Sequence, residues 1–131
     1  MTAFGSVALD TSVAIPLMEG EVGLLANLGQ ADEVFVPAVV LGELFYGASK
    51  SGRPAENTAR VARFASAVSV LPSDAHVARE YGLIKAELRR KGRPLPENDI
   101  WIAAAPRYHK LTLITRDRHF LDVDDLSTAE W

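Results

Sequence analysis

Four acidic residues stand in settings that do not suit ordinary surface carboxylates. Asp10 ends an apolar run and opens Leu9-Asp10-Thr11-Ser12, and Glu43 lies within Val39-Val40-Leu41-Gly42-Glu43-Leu44-Phe45. Asp99 precedes Ile100-Trp101-Ile102-Ala103-Ala104-Ala105, and Asp117 follows Leu113-Ile114-Thr115-Arg116. A carboxylate embedded in apolar sequence is costly to bury unless it is paired or bound to a cation. If the fold gathers the four, a hard divalent cation that prefers oxygen ligands is the simplest compensation. The chemistry implied is that of phosphodiester bonds. Four carboxylates at close range also repel one another, which favours protonation of at least one.

The elements that must position these acids can be read from the sequence. Ser6-Val7-Ala8-Leu9 has the character of a short buried strand, with Thr11 or Ser12 able to cap a helix carrying Pro16 and broken by Gly20. A second helical piece over 21–29 ends at Gly29, and Glu33-Val34-Phe35-Val36 forms a second strand closed by Pro37. Residues 38–49 are helical in pattern, and Gly47 and Gly52 are expected to bracket a turn. Pro54 opens a helix to about Ala67, with Val61, Phe64, Ala65 and Val68 at helical spacing. Val68-Ser69-Val70-Leu71 is a third strand, and Ser73-Asp74 caps a helix over 74–91 with Val77, Tyr81, Ile84 and Leu88 on its apolar stripe. A loop through Pro94 and Pro96 leads to a helix over 97–109, then a fourth strand over 111–115. Short turns and a last edge strand complete the chain.

Strands alternating with helices argue for one α/β domain over residues 1–131, with helices on both sides of a mostly parallel central sheet of four to five strands. Ligand sites in such sheets lie beyond the carboxyl ends of the strands. Asp10 falls just after the first strand and Asp117 just after the fourth. Glu43 is about two turns into the helix after the second strand, and Asp99 starts the helix before the fourth. All four can reach one edge of the sheet.

Each acid also has a plainer explanation. Asp10 or Asp99 can cap a helix, although Asn98 could do that for the second. Glu43 can pair with an arginine, its helix neighbours Val39, Val40, Phe45 and Tyr46 being apolar. Asp117 can belong to a simple turn. The joint pattern is what counts, because each acid sits at the same edge and none needs the others for a structural reason.

Composition narrows the field. The 131 residues make one domain's worth of chain, 48% hydrophobic and 24% charged, and there is no cysteine. Disulfides, thiolate zinc sites and cysteine nucleophiles are thereby excluded. His76, His109 and His119 show neither a close pair nor a His-Glu-x-x-His pattern, which argues against an imidazole-rich metal site. No apolar run approaches the roughly 20 residues of a membrane span, and the stretch from Met1 lacks the basic region of a signal peptide, so a cytoplasmic location is expected.

The net charge of −3 is unevenly spread. Residues 1–49 carry six acids and no Lys or Arg, residues 50–118 carry all 14 basic residues against seven acids, and residues 119–131 carry four acids. A basic middle beside an acidic cluster can hold a phosphate backbone near a cation. The competing explanation is that these basic helix faces are solvated surface.

The motifs resemble a known family. Val7-Ala-Leu-Asp-Thr-Ser-Val, Glu43 in its helix, Pro96-Glu-Asn-Asp-Ile-Trp-Ile-Ala-Ala and Leu113-Ile-Thr-Arg-Asp-Arg-His-Phe are similar, in order and spacing, to the four motifs of the PIN-domain nucleases. The resemblance covers essentially the whole chain, and Leu95-Pro-Glu-Asn-Asp-Ile-Trp looks most like the VapC toxins of bacterial type II toxin–antitoxin pairs. It implies an Mg2+- or Mn2+-dependent enzyme that cleaves RNA, commonly tRNA or ribosomal RNA. It also implies that Asp10, Glu43, Asp99 and Asp117 are the acidic quartet, supported by the polar groups of Ser12 and Thr115. A VapB-like antitoxin and a homodimer follow from the resemblance alone, with Phe45, Tyr46, Trp101, Tyr108 and Trp131 available to an interface.

One or two cations on Asp10, Asp99 and Asp117 would bind a phosphate oxygen, lower the pKa of a bound water and stabilise the leaving oxygen. Glu43 would bind metal directly or through water, or orient the attacking water. Arg89, Arg90, Lys91, Arg93 and Arg116, with Lys50 and Arg53 behind them, are candidates for contacts to the RNA backbone. One departure from the family stands out: Pro106 follows Ile-Ala-Ala-Ala, where a helix interior is expected, and a proline there can cost roughly 3 kcal/mol. It brings the later half of that helix into question.

Two phosphatase-like and signalling readings fail on motif. A haloacid-dehalogenase-type phosphatase needs Asp-x-Asp after its first strand, where this chain has Ser12, and a phospho-receiver needs an acidic pair and a lysine that are not found. A non-catalytic RNA- or protein-binding domain of the same fold, and an RNA-processing nuclease without an antitoxin, remain as alternatives.

Overall fold

A computed structural model describes residues 5–131. The expectation about Met1–Phe4, that it lacks the character of a leader, lies outside those residues. The first strand, β1 (Ser6–Leu9), is central, because the five strands lie in the order β3-β2-β1-β4-β5 and every neighbouring pair is parallel. The others are β2 (Glu33–Pro37), β3 (Ser69–Leu71), β4 (Thr112–Ile114) and β5 (Thr128–Ala129). Side chains alternate between the faces of a strand. Val7, Ala8 and Leu9 are all buried, so both faces of the central strand are covered. A strand buried on both sides reads as a continuous apolar run, which is what the sequence has there.

The covering helices are α1 (Thr11–Met18) and α2 (Val22–Leu28) after β1, α3 (Ala38–Ser49) and α4 (Pro54–Ala67) after β2, and α5 (Ala75–Lys91) and α6 (Glu97–His109) after β3. The chain therefore builds outwards from β1 through β2 to β3, then crosses back to place β4 on the other side of β1. That reversal opens a crevice beyond the carboxyl ends of β1 and β4. The register puts Leu9 opposite Ile114, and the Asp10 amide donates to the Ile114 carbonyl at 3.0 Å, so the two strand ends arrive together.

Local chemistry sets the helix ends. The Asp74 carboxylate accepts from the Val77 amide at 3.0 Å and caps α5, as expected. At its other end Gly92 is left-handed, the Gly92 amide bonds Arg89 O at 3.1 Å, and the Arg93 amide bonds Leu88 O at 2.9 Å. These are the paired bonds of a Schellman ending. Helix α6 ends the same way, with Lys110 N–H to Arg107 O at 3.3 Å and Leu111 N–H to Pro106 O at 2.9 Å, but the left-handed residue is Lys110.

Several expectations are corrected. Pro106 does not disrupt the later half of α6: the helix continues through it to His109, and the ring is buried. Proline sits only three residues before the helix ends, and its carbonyl serves the closing bond to Leu111, so the disturbance is confined to the last turn. Gly47 lies inside α3 and brackets no turn. Position 10, not Thr11 or Ser12, is the boundary residue of α1, and Asn98 caps nothing, because α6 begins after Pro96. The third and fourth strands are shorter than the apolar runs that announced them. Phe45 and Tyr46 do not wrap Glu43 in apolar contacts, since both are exposed; Tyr108 is exposed too, while Trp101 and Trp131 pack against the core.

The long hairpin α5–α6 is cross-linked on two sides. Tyr81 stacks on Trp101 with ring centroids 4.3 Å apart, and Lys85 and Tyr81 both bond Glu97. On the other side the nearly buried Arg107 guanidinium spans Glu80 at 2.5 Å and Glu87 at 2.8 Å and donates to the Asp124 carbonyl at 3.0 Å. This hairpin holds the amino end of α6, and with it Asp99, at the crevice.

Candidate active site

Asp10 is only 4% exposed, directly beyond β1. It occupies the cap position of α1 yet its carboxylate caps nothing. Instead Oδ2 accepts from Ser12 Oγ at 2.7 Å and from Thr115 Oγ1 at 2.8 Å. Each of those hydroxyls has one proton and gives it to Asp10. Each in turn accepts a backbone N–H from the segment after β4, Ser12 from Arg116 at 3.0 Å and Thr115 from Asp117 at 3.0 Å. The two hydroxyls lie 3.4 Å apart with both protons already committed to the acid. Hydroxyl, acid and backbone therefore form a closed cage around one oxygen of Asp10, and Oδ1 carries no protein hydrogen bond among the described residues.

Asp117 sits at the start of a 3-10 turn, Arg118–Asp122. Its Oδ1 accepts from the His119 amide at 2.9 Å, and His119 Nδ1 lies at the same distance from it. The turn reading of Asp117 is thus correct as far as it goes, and the same residue also faces the crevice electrostatics described below. Among the described residues Glu43 forms no ion pair, contrary to the arginine alternative. Its Oε1 accepts from Thr11 Oγ1 at 2.6 Å, and Oε2 is 3.4 Å from the Asn98 amide nitrogen.

Asp99 is half-buried in the first turn of α6 and has no hydrogen bond among the described residues. Burial pushes its pKa up to about 6, and the charges of Asp10, Asp117 and Glu43 push in the same direction, opposed weakly by His119. Asp10, Asp117 and Glu43 are therefore each within electrostatic reach of Asp99.

The donor set consists of carboxylate and hydroxyl oxygens, which fits a hard divalent cation, and concentrated negative charge supplies the attraction. Among the described residues no three acidic or imidazole groups already converge as a finished ligand cage. The fit is one of donor chemistry and charge. Asp10, Asp99 and Asp117 are the candidate ligands, with Glu43 beside them.

Thr11, Asn98 and His119 are the site's neighbours that the sequence reading left out. In sequence Thr11 and Asn98 have the character of helix caps, and His119 that of an isolated imidazole. Their proximity to the acids in the motifs was the available signal.

The basic residues divide. Arg116 is committed to Glu21 and to the Trp131 carbonyl. Lys91 bonds Asp124 at 2.6 Å and the Asp122 carbonyl at 2.9 Å, and Arg93 lies 3.9 Å from Asp122. The charge of Arg89 acts on Glu97 from a distance, and neither Arg89 nor Arg90 makes an ion pair or hydrogen bond among the described residues.

Comparison with known proteins shows a family and a fold. The PIN domain family model matches residues 7–126. The chain is 36% identical over 126 residues to "Ribonuclease VapC2" of Haemophilus influenzae, covering 94% of this chain and 96% of that protein. It is 37% identical over 127 residues to the "tRNA(fMet)-specific endonuclease VapC" of Shigella flexneri, with the same coverage. Among solved structures, DNA-bound VapBC from Salmonella typhimurium superposes with a TM-score of 0.91 at 30% identity over 98% of each chain. VapBC2 from Rickettsia felis, bound to a promoter DNA fragment, superposes with a TM-score of 0.89 at 25% identity over 96% of this chain and 98% of that one.

Proposed function

Since the chain belongs to the PIN-domain family and within it to the VapC ribonucleases, we propose that it is the toxin of a type II toxin–antitoxin pair, a divalent-metal-dependent endoribonuclease acting on tRNA or ribosomal RNA. The observation that carries the chemistry is the field at Asp99: a half-buried carboxyl pushed up to about 6 by its own burial and by Asp10, Asp117 and Glu43. A concentration of acids that, among the described residues, no Lys or Arg pairs with supports a cation site at the crevice of an α/β sheet.

Mg2+ or Mn2+ held by Asp10, Asp99 and Asp117 would supply an acidified water and charge neutralisation at the phosphate. The protein's own part is orientation. Ser12 and Thr115 hold one oxygen of Asp10 and leave the other for a ligand. His119 holds Asp117, and Thr11 with Asn98 holds Glu43 at the crevice, where its carboxylate can receive a proton from an attacking water. Arg89 and Arg90, free of ion pairs among the described residues, are suited to the RNA backbone, as are Lys91, Arg93 and Arg116 once their present partners release them.

The remaining features extend the same reading. The chain acts as one domain, in the cytoplasm, as a homodimer, and is restrained by a VapB-like antitoxin. No helix among the described residues is long and apolar enough to cross a membrane. The relatives' VapBC structures support the antitoxin partner.

The test is to sequence the RNA ends produced when the purified chain is incubated with total RNA and Mg2+ or Mn2+. Discrete new ends that vanish with EDTA and in Asp99→Asn are expected. An unchanged RNA pool, or equal cleavage by Asp99→Asn, would overturn the assignment. A co-purifying product of a small upstream reading frame distinguishes a toxin from an RNA-processing nuclease.

A further inference from the structure

Glu43 belongs to the acidic crevice, but it also lines a separate groove of about 550 Å³ along one face of α3. That volume lies within the range of small-ligand sites, roughly 300–1,000 Å³. From Glu43 the groove runs past Tyr46 to Lys50, with Asn98 of α6 on its opposite wall. Tyr46 is 66% exposed, and its ring offers a large apolar surface. The Lys50 ammonium stands over it, 4.9 Å from the ring centroid. Lys50 has no carboxylate partner among the described residues. Gly42 and Gly47 border the same groove, and a Cβ at either would meet nothing within 4 Å. Protein packing thus leaves this side open.

We propose that this groove is a nucleotide subsite, in which Tyr46 stacks on the base of the nucleotide beside the cleaved phosphodiester and Lys50 binds its phosphate. The inference rests on the ribonuclease reading given above. A ring with an ammonium over one face offers its other face to a base. Every nucleobase has a π-face, so the platform is tolerant of sequence, while the cation answers the backbone charge. Continuity decides in favour of RNA over a protein partner: Glu43 is common to groove and crevice, so a strand whose phosphate lies at the acids has its neighbouring nucleotide here. Asn98, which donates towards Glu43, is placed to hydrogen-bond the base or sugar between them.

The experiment uses a fluorescently labelled single-stranded RNA of mixed sequence. Binding is read by anisotropy in EDTA, and cleavage of the same RNA is read with Mn2+. Tyr46→Leu should raise Kd about tenfold, the scale of one lost base–aromatic stack, while Tyr46→Phe stays within about twofold of wild type. Lys50→Gln should weaken binding and lower the salt slope by about one. An RNA with an abasic nucleotide beside the mapped cleavage point should bind wild type as weakly as intact RNA binds Tyr46→Leu, and lose nothing further with that variant. Tyr46 is exposed, so thermal melts should be unchanged. Equal RNA affinity of Tyr46→Leu and wild type overturns the proposal. Equal affinity together with altered sedimentation would overturn it in favour of a protein-covered face. If wild type neither binds nor cleaves RNA, it is the ribonuclease reading itself that falls.

Discussion

Thr115 Oγ1 donates to Asp10 Oδ2 at 2.8 Å, joining residues 105 positions apart. Thr115 is buried just past β4 and Asp10 just past β1, so the bond spans the crevice created by the reversal of strand order. Because Thr115 also accepts the Asp117 amide, one hydroxyl sets the positions of two of the four acids.

Thr115→Val should therefore lose both roles at once. Groups that orient metal ligands are typically worth 10–100-fold in metal affinity or activity, and that is the expected fall in cleavage rate and Mn2+ affinity. Stability should drop by about 1–3 kcal/mol, because the Asp117 amide and Asp10 lose a buried partner. Thr115→Ser keeps the hydroxyl and should recover most of the loss. Isothermal titration with Mn2+ and urea unfolding of the three proteins check this; Thr115→Val with wild-type metal affinity would remove the hydroxyl from the site's design.

Asp99→Asn should separate stability from activity. In the folded protein the Asp99 pKa is raised from 3.8 to about 6, so the folded state holds its proton more tightly than the unfolded chain. The stability this provides is complete below about pH 4 and is lost as pH rises through about 6, leaving the ionised group a net burden at neutral pH. The full shift corresponds to roughly 3 kcal/mol, and solvent screening of a half-exposed group brings this to about 1–2 kcal/mol. In EDTA at pH 7.5 Asp99→Asn should melt higher than wild type, with the gap closing towards pH 4. With Mn2+ the order should reverse, since a ligand at 100 times its Kd adds about 2.7 kcal/mol to the protein that binds it. Parallel melts across pH, with and without Mn2+, give both comparisons, and a pH-independent gap would contradict the electrostatic account.

The two Schellman endings offer a matched pair. Gly92 and Lys110 have the same left-handed backbone, with φ of 68° and 57°. A side chain in that conformation costs roughly 1–2 kcal/mol that glycine avoids, part of which is offset by glycine's greater freedom in the unfolded chain. Lys110→Gly should raise stability by about 0.5–1 kcal/mol, and Gly92→Ala should lower it by about 1 kcal/mol. Neither residue lies at the crevice, so RNA cleavage should be unaffected. Denaturant midpoints decide the sign.

The basic residues at the end of α5 should not act alike. Arg89→Gln with Arg90→Gln should reduce the salt dependence of RNA binding by up to about two phosphate contacts. Lys91→Gln should instead loosen the segment carrying Asp122 and Asp124, which Lys91 ties down, and be seen as a lower melting temperature. Anisotropy titrations from low to high salt distinguish these. An unchanged slope in the double variant would return Arg89 and Arg90 to plain solvated surface.

Much of this protein was legible without coordinates. The apolar run Val7-Ala8-Leu9 announced a buried strand, and Pro54 and Asp74 marked helix starts, because each acts through its own backbone or nearest neighbours. The four acids stood out for the same local reason: a charge inside apolar sequence needs a partner. What the sequence left open was which partner. Asp10 could have been a cap, Glu43 half of an ion pair, and Asp99 an acid of ordinary pKa. Those outcomes depend on the strand order, which carries β4 across to the far side of β1 and brings Thr115, Arg116 and Asp117 beside Asp10 and Ser12. Hydrogen bonds between hydroxyl, carboxylate and amide require atoms within about 3 Å. Residues a hundred positions apart meet that distance only through the tertiary fold, so the fold alone decided that Ser12 and Thr115 hold Asp10 while Asp99 is left with the charge of the other three acids and no hydrogen bond among the described residues.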